Sequence, residues 1–388
     1  MRLTGLFKWL AAICLLIASV FASSQTFIRA SAPNGSGWPE FDDAAALGRI
    51  IGYDGIAIDG GVNRFNEPAH ILTPDNQINP EGFQAHYNAT LHAFLLGYKY
   101  VLWRLQPDIP NNQRWADRYT QGKVWPYRNF PGVYADGSIN RNAWNAPVRV
   151  YQGIIDASRR AAIGAGKDPS TSVWFVLSNE LCKGGVGNAK DNAGKLAPFY
   201  SGRANGWVHP EQVKMVRKLR AGVTLGGSPT WFTSLENAAG KDGDVEINAW
   251  SDTSFEDARW LSDWTQGPAF NCYAADGDGS KYAQKIANSI NRIKSSGIFY
   301  RWNQNSRPII TEGGLFFERV QNEMDPAPER LAILKAGMTH PSIAGFGWFC
   351  LFAKTGDYGQ ERCATATRIG PGVWSPIGST FVGPKYLP

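Results

Sequence analysis

The 388-residue sequence predicts an α/β chain closed into a (β/α)8, or TIM, barrel: a single domain with long loops on the face where such barrels carry catalysis. Three observations carry that expectation. Short apolar runs alternate with apolar stripes at helical spacing, the pattern of strands joined by helical crossovers. Eight such runs can be counted, enough to close a barrel. No Gly-x-Gly-x-x-Gly follows the early strands, which removes the usual mark of an open, dinucleotide-binding sheet. Tandem repeats, low-complexity linkers and long charge blocks are absent too, so nothing divides the chain into several units.

The elements follow in order. Strand one is read at 26–30, then a helix at 41–51 with Asp42 and Asp43 near its start, where acidic residues suit the positive end of the helix dipole. Strand two, 55–59, is punctuated by Gly60 and Gly61; the next helix places Phe83, Tyr87, Leu91 and Leu95 on one face. Strand three, 98–105, is stopped by Pro107. A long excursion rich in Pro, Asn and Trp covers 106–146, and long loops in compact domains are usually functional. A helix beginning near Pro147 leads to strand four at 173–178. After a loop to about Asn205, the helix beyond Pro210 carries Val213, Val216 and Leu219. Strand five is read at 230–236, with 245–250 as a second candidate. Strand six at 269–274 precedes a helix with Tyr282, Ile286, Ile290 and Ile293 on one face. Strand seven at 308–311, a helix at 328–337 and strand eight at 343–352 complete the set.

The amino terminus has the layout of a secretory signal peptide over 1–24, leaving a mature domain at 25–388. Arg2 and Lys8 precede an apolar stretch over 9–21, followed by Ala22, Ser23 and Ser24. The stretch is short for a membrane span and no stop-transfer pattern follows, so a secreted or periplasmic protein without stable membrane insertion is expected. Of the five cysteines, Cys14 lies in the signal; Cys182, Cys272, Cys350 and Cys363 remain for an oxidising compartment. Cys350 and Cys363 are closest in sequence and are the preferred disulfide pair, buried strand thiols being the alternative. The cysteines lack zinc-ligand spacing and the histidines form no His-Glu-x-x-His helix, so neither metal nor cofactor is expected.

The formal charge of +6 is mild, spread along the chain, and falls by two when Arg2 and Lys8 leave; nucleic acid is not an expected partner. A monomer is expected. Fifteen tryptophans are the more telling excess. Trp38, Trp115, Trp125, Trp144 and Trp207 fall in polar segments, where an aromatic face can stack on a sugar ring, although a tryptophan more often simply fills a core.

The chemistry rests on two glutamates. Val173-Trp174-Phe175-Val176-Leu177 runs into Ser178-Asn179-Glu180, and Pro308-Ile309-Ile310-Thr311 runs into Glu312; both glutamates are read at points where a buried strand opens into a glycine-bearing loop. Parallel barrel strands deliver their carboxyl ends to one face, so the two can meet around a single bond. Glycoside hydrolysis needs such a pair, and each glutamate alone would more often be a solvated loop residue. No Gly-x-Ser-x-Gly elbow supports a serine hydrolase. The Asp276-Gly-Asp278-Gly turn lacks the EF-hand pattern and reads as a solvated turn.

In these motifs the chain resembles the clan of retaining (β/α)8 glycoside hydrolases that includes cellulases, mannanases and β-galactosidases. The resemblance implies that Glu180, after Asn179 at the end of strand four, is the acid/base, and that Glu312 on strand seven is the nucleophile. It further implies that Asn179 contacts the sugar 2-hydroxyl, that Tyr273 after strand six contacts the nucleophile, and that Trp348 on strand eight floors the sugar subsite. Arg104 is the best candidate for the clan's arginine near strand two, although it falls on strand three; with Asp59 it completes the expected substrate-binding set, the two being alternatively an internal ion pair. Leu181 stands where the clan frequently has proline. The implied substrate is a β-linked polysaccharide or oligosaccharide, cleaved internally along an open aromatic cleft. Exo-action, transglycosylation and a non-catalytic sugar-binding barrel are the alternatives.

Overall fold

The structure is a computed structural model that describes residues 25–30, 49, 53–60, 71–73, 77–105, 144–177, 218–219, 221–223, 230–234, 267–274, 279–295, 307–315, 332–333, 335–337, 339–348, 368–370 and 373–374. Eight parallel strands close into a barrel in sequence order. They are β1 Gln25–Ala30, β2 Gly55–Gly60, β3 Tyr100–Leu105, β4 Val173–Leu177, β5 Thr230–Ser234, β6 Gly267–Ala274, β7 Ile309–Leu315 and β8 Gly345–Trp348. Closure is made by β8 pairing back on β1, from Gly345 opposite Gln25 to Trp348 opposite Ile28. The crossovers carry α1 Pro80–Leu95, α2 Asn145–Gly164, the short α3 Pro169–Ser172 and α4 Gly279–Ser295. Beyond the barrel, β9 Arg368–Gly370 and β10 Val373–Trp374 form a small antiparallel pair. Strand five is thus built from the first candidate; 245–250 lies outside the described residues, as do the signal segment and the loop over 106–143.

Two faces of each strand do different work. Ala57, Leu102, Trp174, Val176, Ala269 and Ile309 come from five strands and form one buried cluster, which only a shared barrel interior permits. Tyr100 packs against that cluster with its ring centroid 5.1 Å from Trp174, whose indole N–H donates to the Thr171 carbonyl at 2.9 Å. Trp103, one residue on from Leu102, points the other way: its ring lies 5.3 Å from His86 of α1, and its N–H donates to Thr90 at 3.2 Å. Leu102 inside and Trp103 outside fix the parity of β3, so Arg104 has lumen parity.

The helices show how the local sequence sets their ends and how far periodicity alone can mislead. The Asn79 side chain caps α1 by accepting from Glu81 N–H at 3.2 Å, and Pro80 occupies the first turn, where its missing donor costs nothing. The carboxyl end closes in a Schellman turn: Gly97, at φ +91°, donates to Phe94 at 2.9 Å, and Tyr98 donates to Ala93 at 3.1 Å. Gly166 at φ +69° ends α2 in the same way. The buried face of α1, however, is Gly82, His86, Ala89, Thr90, Ala93 and Phe94. The expected stripe is therefore the flank: Phe83 lies under the Arg160 guanidinium of α2, and Leu95 is 71 % exposed. Small residues let α1 lie close to β3, while His86 turns Nδ1 to the Gly82 carbonyl and the Thr90 hydroxyl accepts from Trp103 and donates to the His86 carbonyl. In α4 the reading holds for Tyr282, Ile286 and Ile290, all buried, while the Ile293 side chain lies outside the described set.

Candidate active site

The register shows where the strands carry the expected residues. Asp59 and Arg104 are direct register partners on β2 and β3, and Arg104 is in turn opposite Val176 on β4. The Arg104 side chain is fully buried, one residue short of the end of β3. Across β6, β7 and β8, Tyr273 is opposite Gly314, Glu312 opposite Asn271, and Trp348 opposite Gly313. Glu312, Tyr273 and Trp348 thus occupy neighbouring rungs of three consecutive strands. Asn179 and Glu180 follow the end of β4 at Leu177 and lie outside the described residues.

One expectation is corrected at Glu312. The residue does not end its strand: β7 continues to Leu315, and the glycines that follow are part of the ladder rather than of a loop. The reason is a β-bulge. On the β6 side Ile310 is opposite Phe270 and Glu312 is opposite Asn271, leaving Thr311 as an extra residue. On the β8 side Ile310 is opposite Phe346 and Gly313 is opposite Trp348, so Thr311 and Glu312 together face the single Gly347.

The bulge changes which way each position faces. Ile309 belongs to the lumen cluster, whereas a Cβ at Gly313 would overlap the Phe346 ring and lie 2.8 Å from the Tyr282 hydroxyl, on the helix side. A regular strand would put positions four apart on the same face. Inserting Thr311 breaks that parity, and position 312 takes the parity of the lumen instead of the helix layer.

Three glycines make room for this break. Gly313 and Gly337 both lie against Phe346, where any side chain would overlap the ring, and a Cβ at Gly347 would come within 2.5 Å of the Thr311 carbonyl oxygen. Glycine in a strand commonly marks a bulge or a close approach, and here it marks both. Thr311 is fully buried and its hydroxyl donates to the Phe270 carbonyl at 3.4 Å.

Two tyrosines that the sequence did not single out for the site pin strand carbonyls from outside. Tyr151 of α2 donates to the Leu105 carbonyl at 2.9 Å, next to Arg104, and Tyr282 of α4 donates to the Cys272 carbonyl at 2.6 Å, next to Tyr273. Burial, reinforced by the adjacent Cys272, pushes the Tyr282 hydroxyl well above its ordinary range, so it remains a donor. Cys272 is a buried thiol of β6, the alternative expected for strand cysteines; Cys182 and the preferred pair Cys350 and Cys363 lie outside the described residues. Trp144 is a core residue at the start of α2, not an exposed sugar platform, because only 2 % of it reaches solvent. The other loop tryptophans and Asp276 and Asp278 lie outside the described residues. Among the described residues no group of three His, Cys, Asp or Glu is placed to hold a metal ion, and no described helix is long and apolar enough to cross a membrane.

Solved glycoside hydrolases share this fold. A variant of GH5_18 from Streptomyces cattleya in complex with Manβ1-4GlcNAc aligns over 93 % of this chain and 79 % of its own, at 11 % identity and a TM-score of 0.54. The endo-1,4-β-D-mannanase of Thermotoga petrophila aligns over 93 % of this chain and 98 % of its own, at 14 % identity and a TM-score of 0.52. A β-glucosidase from Exiguobacterium marinum aligns over 88 % and 86 %, at 13 % identity and a TM-score of 0.51. At these identities the likeness is one of fold. No family model and no curated protein matches the chain by sequence.

Proposed function

We propose that this chain is a secreted, retaining glycoside hydrolase that cleaves β-glycosidic bonds within a polysaccharide by double displacement. The observation that supports it best is the bulge in β7. It gives Glu312 lumen parity, on the strand next to that of Tyr273, in a barrel whose fourth strand leads directly into Asn179 and Glu180.

In this reading Glu312 attacks the anomeric carbon while Glu180 protonates the departing oxygen. The bond from sugar to leaving group breaks as the Glu312 ester forms; Glu180 then takes a proton from water, which displaces Glu312 and restores both carboxyls. Retention requires the two groups about 5 Å apart. Glu312 must be ionised at rest and Glu180 protonated, and a buried cation such as Arg104 favours the ionised partner. Asn179 and Asp59 hold sugar hydroxyls and Tyr273 orients the nucleophile. Trp348, expected to floor the sugar subsite, is instead the partner of Gly313 and two residues from Phe346, which gives it helix-side parity, and it takes no part in this reading. β-Linked mannosyl and glucosyl chains are the first substrates to test, by analogy with the sugars and activities named for the structural neighbours.

The decisive experiment uses dinitrophenyl β-mannosides and β-glucosides with added azide. Glu180→Ala should lose at least about a hundredfold in turnover and regain it with azide, giving a product of retained configuration, because the activated leaving group needs little protonation. Azide rescue of Glu312→Ala should give the inverted product. Exchanged outcomes would reverse the two roles, and full activity in either variant would remove that residue from the reaction.

A further inference from the structure

We infer that Tyr282 is a positioning residue for the nucleophile: through the Cys272–Gly313 rung it fixes the bulge that sets Glu312 on the lumen. The inference rests on the reading of Glu312 as nucleophile. It concerns a residue of the helix layer that touches neither substrate nor reacting atoms.

The ladder shows why the rung needs help. The upper half of β6, from Phe270 to Ala274, pairs with β7 from Ile310 to Leu315. That half faces the bulge, where the register slips between Phe270 and Asn271. A bulge leaves a residue out of the ladder and lets the strand bend. Something outside the ladder must hold this one to a single geometry.

The Tyr282 hydroxyl is placed to do so. It donates to the Cys272 carbonyl at 2.6 Å, and Cys272 is the register partner of Gly313, the residue after Glu312. The same oxygen lies 2.8 Å from where a Gly313 Cβ would be, so it sits against both strands at one rung. The Tyr282 ring meets Phe346 edge-on at 6.2 Å, and Phe346 is wedged between Gly313 and Gly337. Tyr282 is 1 % exposed and its burial keeps the proton on oxygen, so the donor does not change with pH in the working range. The rung lies between the one carrying Glu312 and the one carrying Tyr273. A displacement there moves the nucleophile and its orienting tyrosine together, and misplacement by about 1 Å can cost on the order of a hundredfold in rate.

Tyr282→Phe isolates the hydroxyl, and Thr311→Val tests the same bulge should Tyr282→Phe fold poorly. Each is reacted with dinitrophenyl fluoroglycosides of mannose and glucose, which trap the glycosyl-enzyme; the labelled peptide is identified, and the first-order labelling rate per active molecule is separated from the inhibitor concentration at half saturation. The expected result is label on Glu312, a labelling rate lowered about tenfold by Tyr282→Phe and less by Thr311→Val, and an unchanged half-saturation. A purely structural hydroxyl would lower the active fraction and leave the rate per active molecule alone. Label on Glu312 at the wild-type rate in both variants overturns the positioning role while keeping the site. Label on another residue, or none in the wild type, overturns the site and the role with it.

Discussion

The side of the barrel formed by β2, β3 and β4 and the side formed by β6, β7 and β8 are tied to their helices by the same device, a buried tyrosine donating to a strand carbonyl. They differ in the ladder. From Gly55 opposite Tyr100 to Gly60 opposite Leu105 the first side keeps an unbroken register, which runs on into β4. In the second the register slips on both sides of β7. Alternation therefore reads the first side correctly from end to end, and Arg104 follows Leu102 onto the lumen face. On the second side alternation counted from Ile309 would aim position 312 at Phe346 and the apolar face of α4. An ionised carboxyl there would cost several kcal/mol unless it took up a proton. The bulge removes that conflict, and two of the glycines that accommodate it, Gly313 and Gly347, lie at the break in the ladder itself.

The sharpest way to break the comparison is to empty the wedge that supports the bulge. Phe346 is fully buried between Gly313 and Gly337, against Tyr282. Phe346→Ala should destabilise the protein by about 3 to 5 kcal/mol, since the glycines on either side have no side chains to fill the space. Urea denaturation gives the value. A loss below about 1 kcal/mol would mean that the wedge collapses without cost and that the bulge does not depend on it.

The next effect belongs to the regular side. Burial lowers the pKa of His86 from 6.5 to about 4, against a smaller upward pull from the Gly82 carbonyl that its Nδ1 faces at 2.7 Å. A histidine facing a carbonyl through Nδ1 is the neutral donor tautomer. Because the folded pKa lies below the unfolded one, the unfolded chain takes up the proton first as pH falls. Stability should be steady above about pH 6.5 and decline toward pH 4, by up to about 3 kcal/mol. Burial lowers the pKa of His340 as well, where it meets the backbone of Ala283 in α4, so both sides of the barrel contribute acid sensitivity and His86→Leu reads only the share of α1 and β3. Urea midpoints of His86→Leu and wild type, compared across that range, should converge as the pH drops. Parallel pH dependences would remove His86 as the cause.

How much of this was legible follows from the same contrast. All eight strands were legible as short apolar runs, although for strand five the run at 245–250 competed with the one that forms β5. Asp59 and Arg104 were placed side by side because their ladder is regular. The continuation of β7 through Glu312, Gly313 and Gly314 was missed, since Gly-Gly after an apolar run signals a turn more often than a bulge. The inward face of α1 was missed because periodicity weighs Phe83, Tyr87 and Leu91 above Ala89, Thr90 and His86, whereas close packing against β3 favours the smaller set. Tyr282 was legible only as an apolar position, because no spacing in the sequence announces a bond from a helix to the carbonyl of Cys272.

The smallest effect sharpens the comparison most. Tyr151 and Tyr282 are both fully buried and each donates to one strand carbonyl, so the two Tyr→Phe substitutions remove the same bond from similar surroundings. Each should cost about 1 kcal/mol in stability, the ordinary net worth of a buried hydrogen bond. Their catalytic consequences should diverge. The Leu105 carbonyl ends a strand whose neighbours are in register on both sides, so Tyr151→Phe leaves the ladder to hold Arg104 in place. Turnover of an aryl glycoside by Tyr151→Phe should stay within about threefold of wild type, against the roughly tenfold fall in labelling rate expected for Tyr282→Phe. Equal losses of rate at equal losses of stability would show that both tyrosines act through stability alone, and that the broken ladder needs no more support than the regular one.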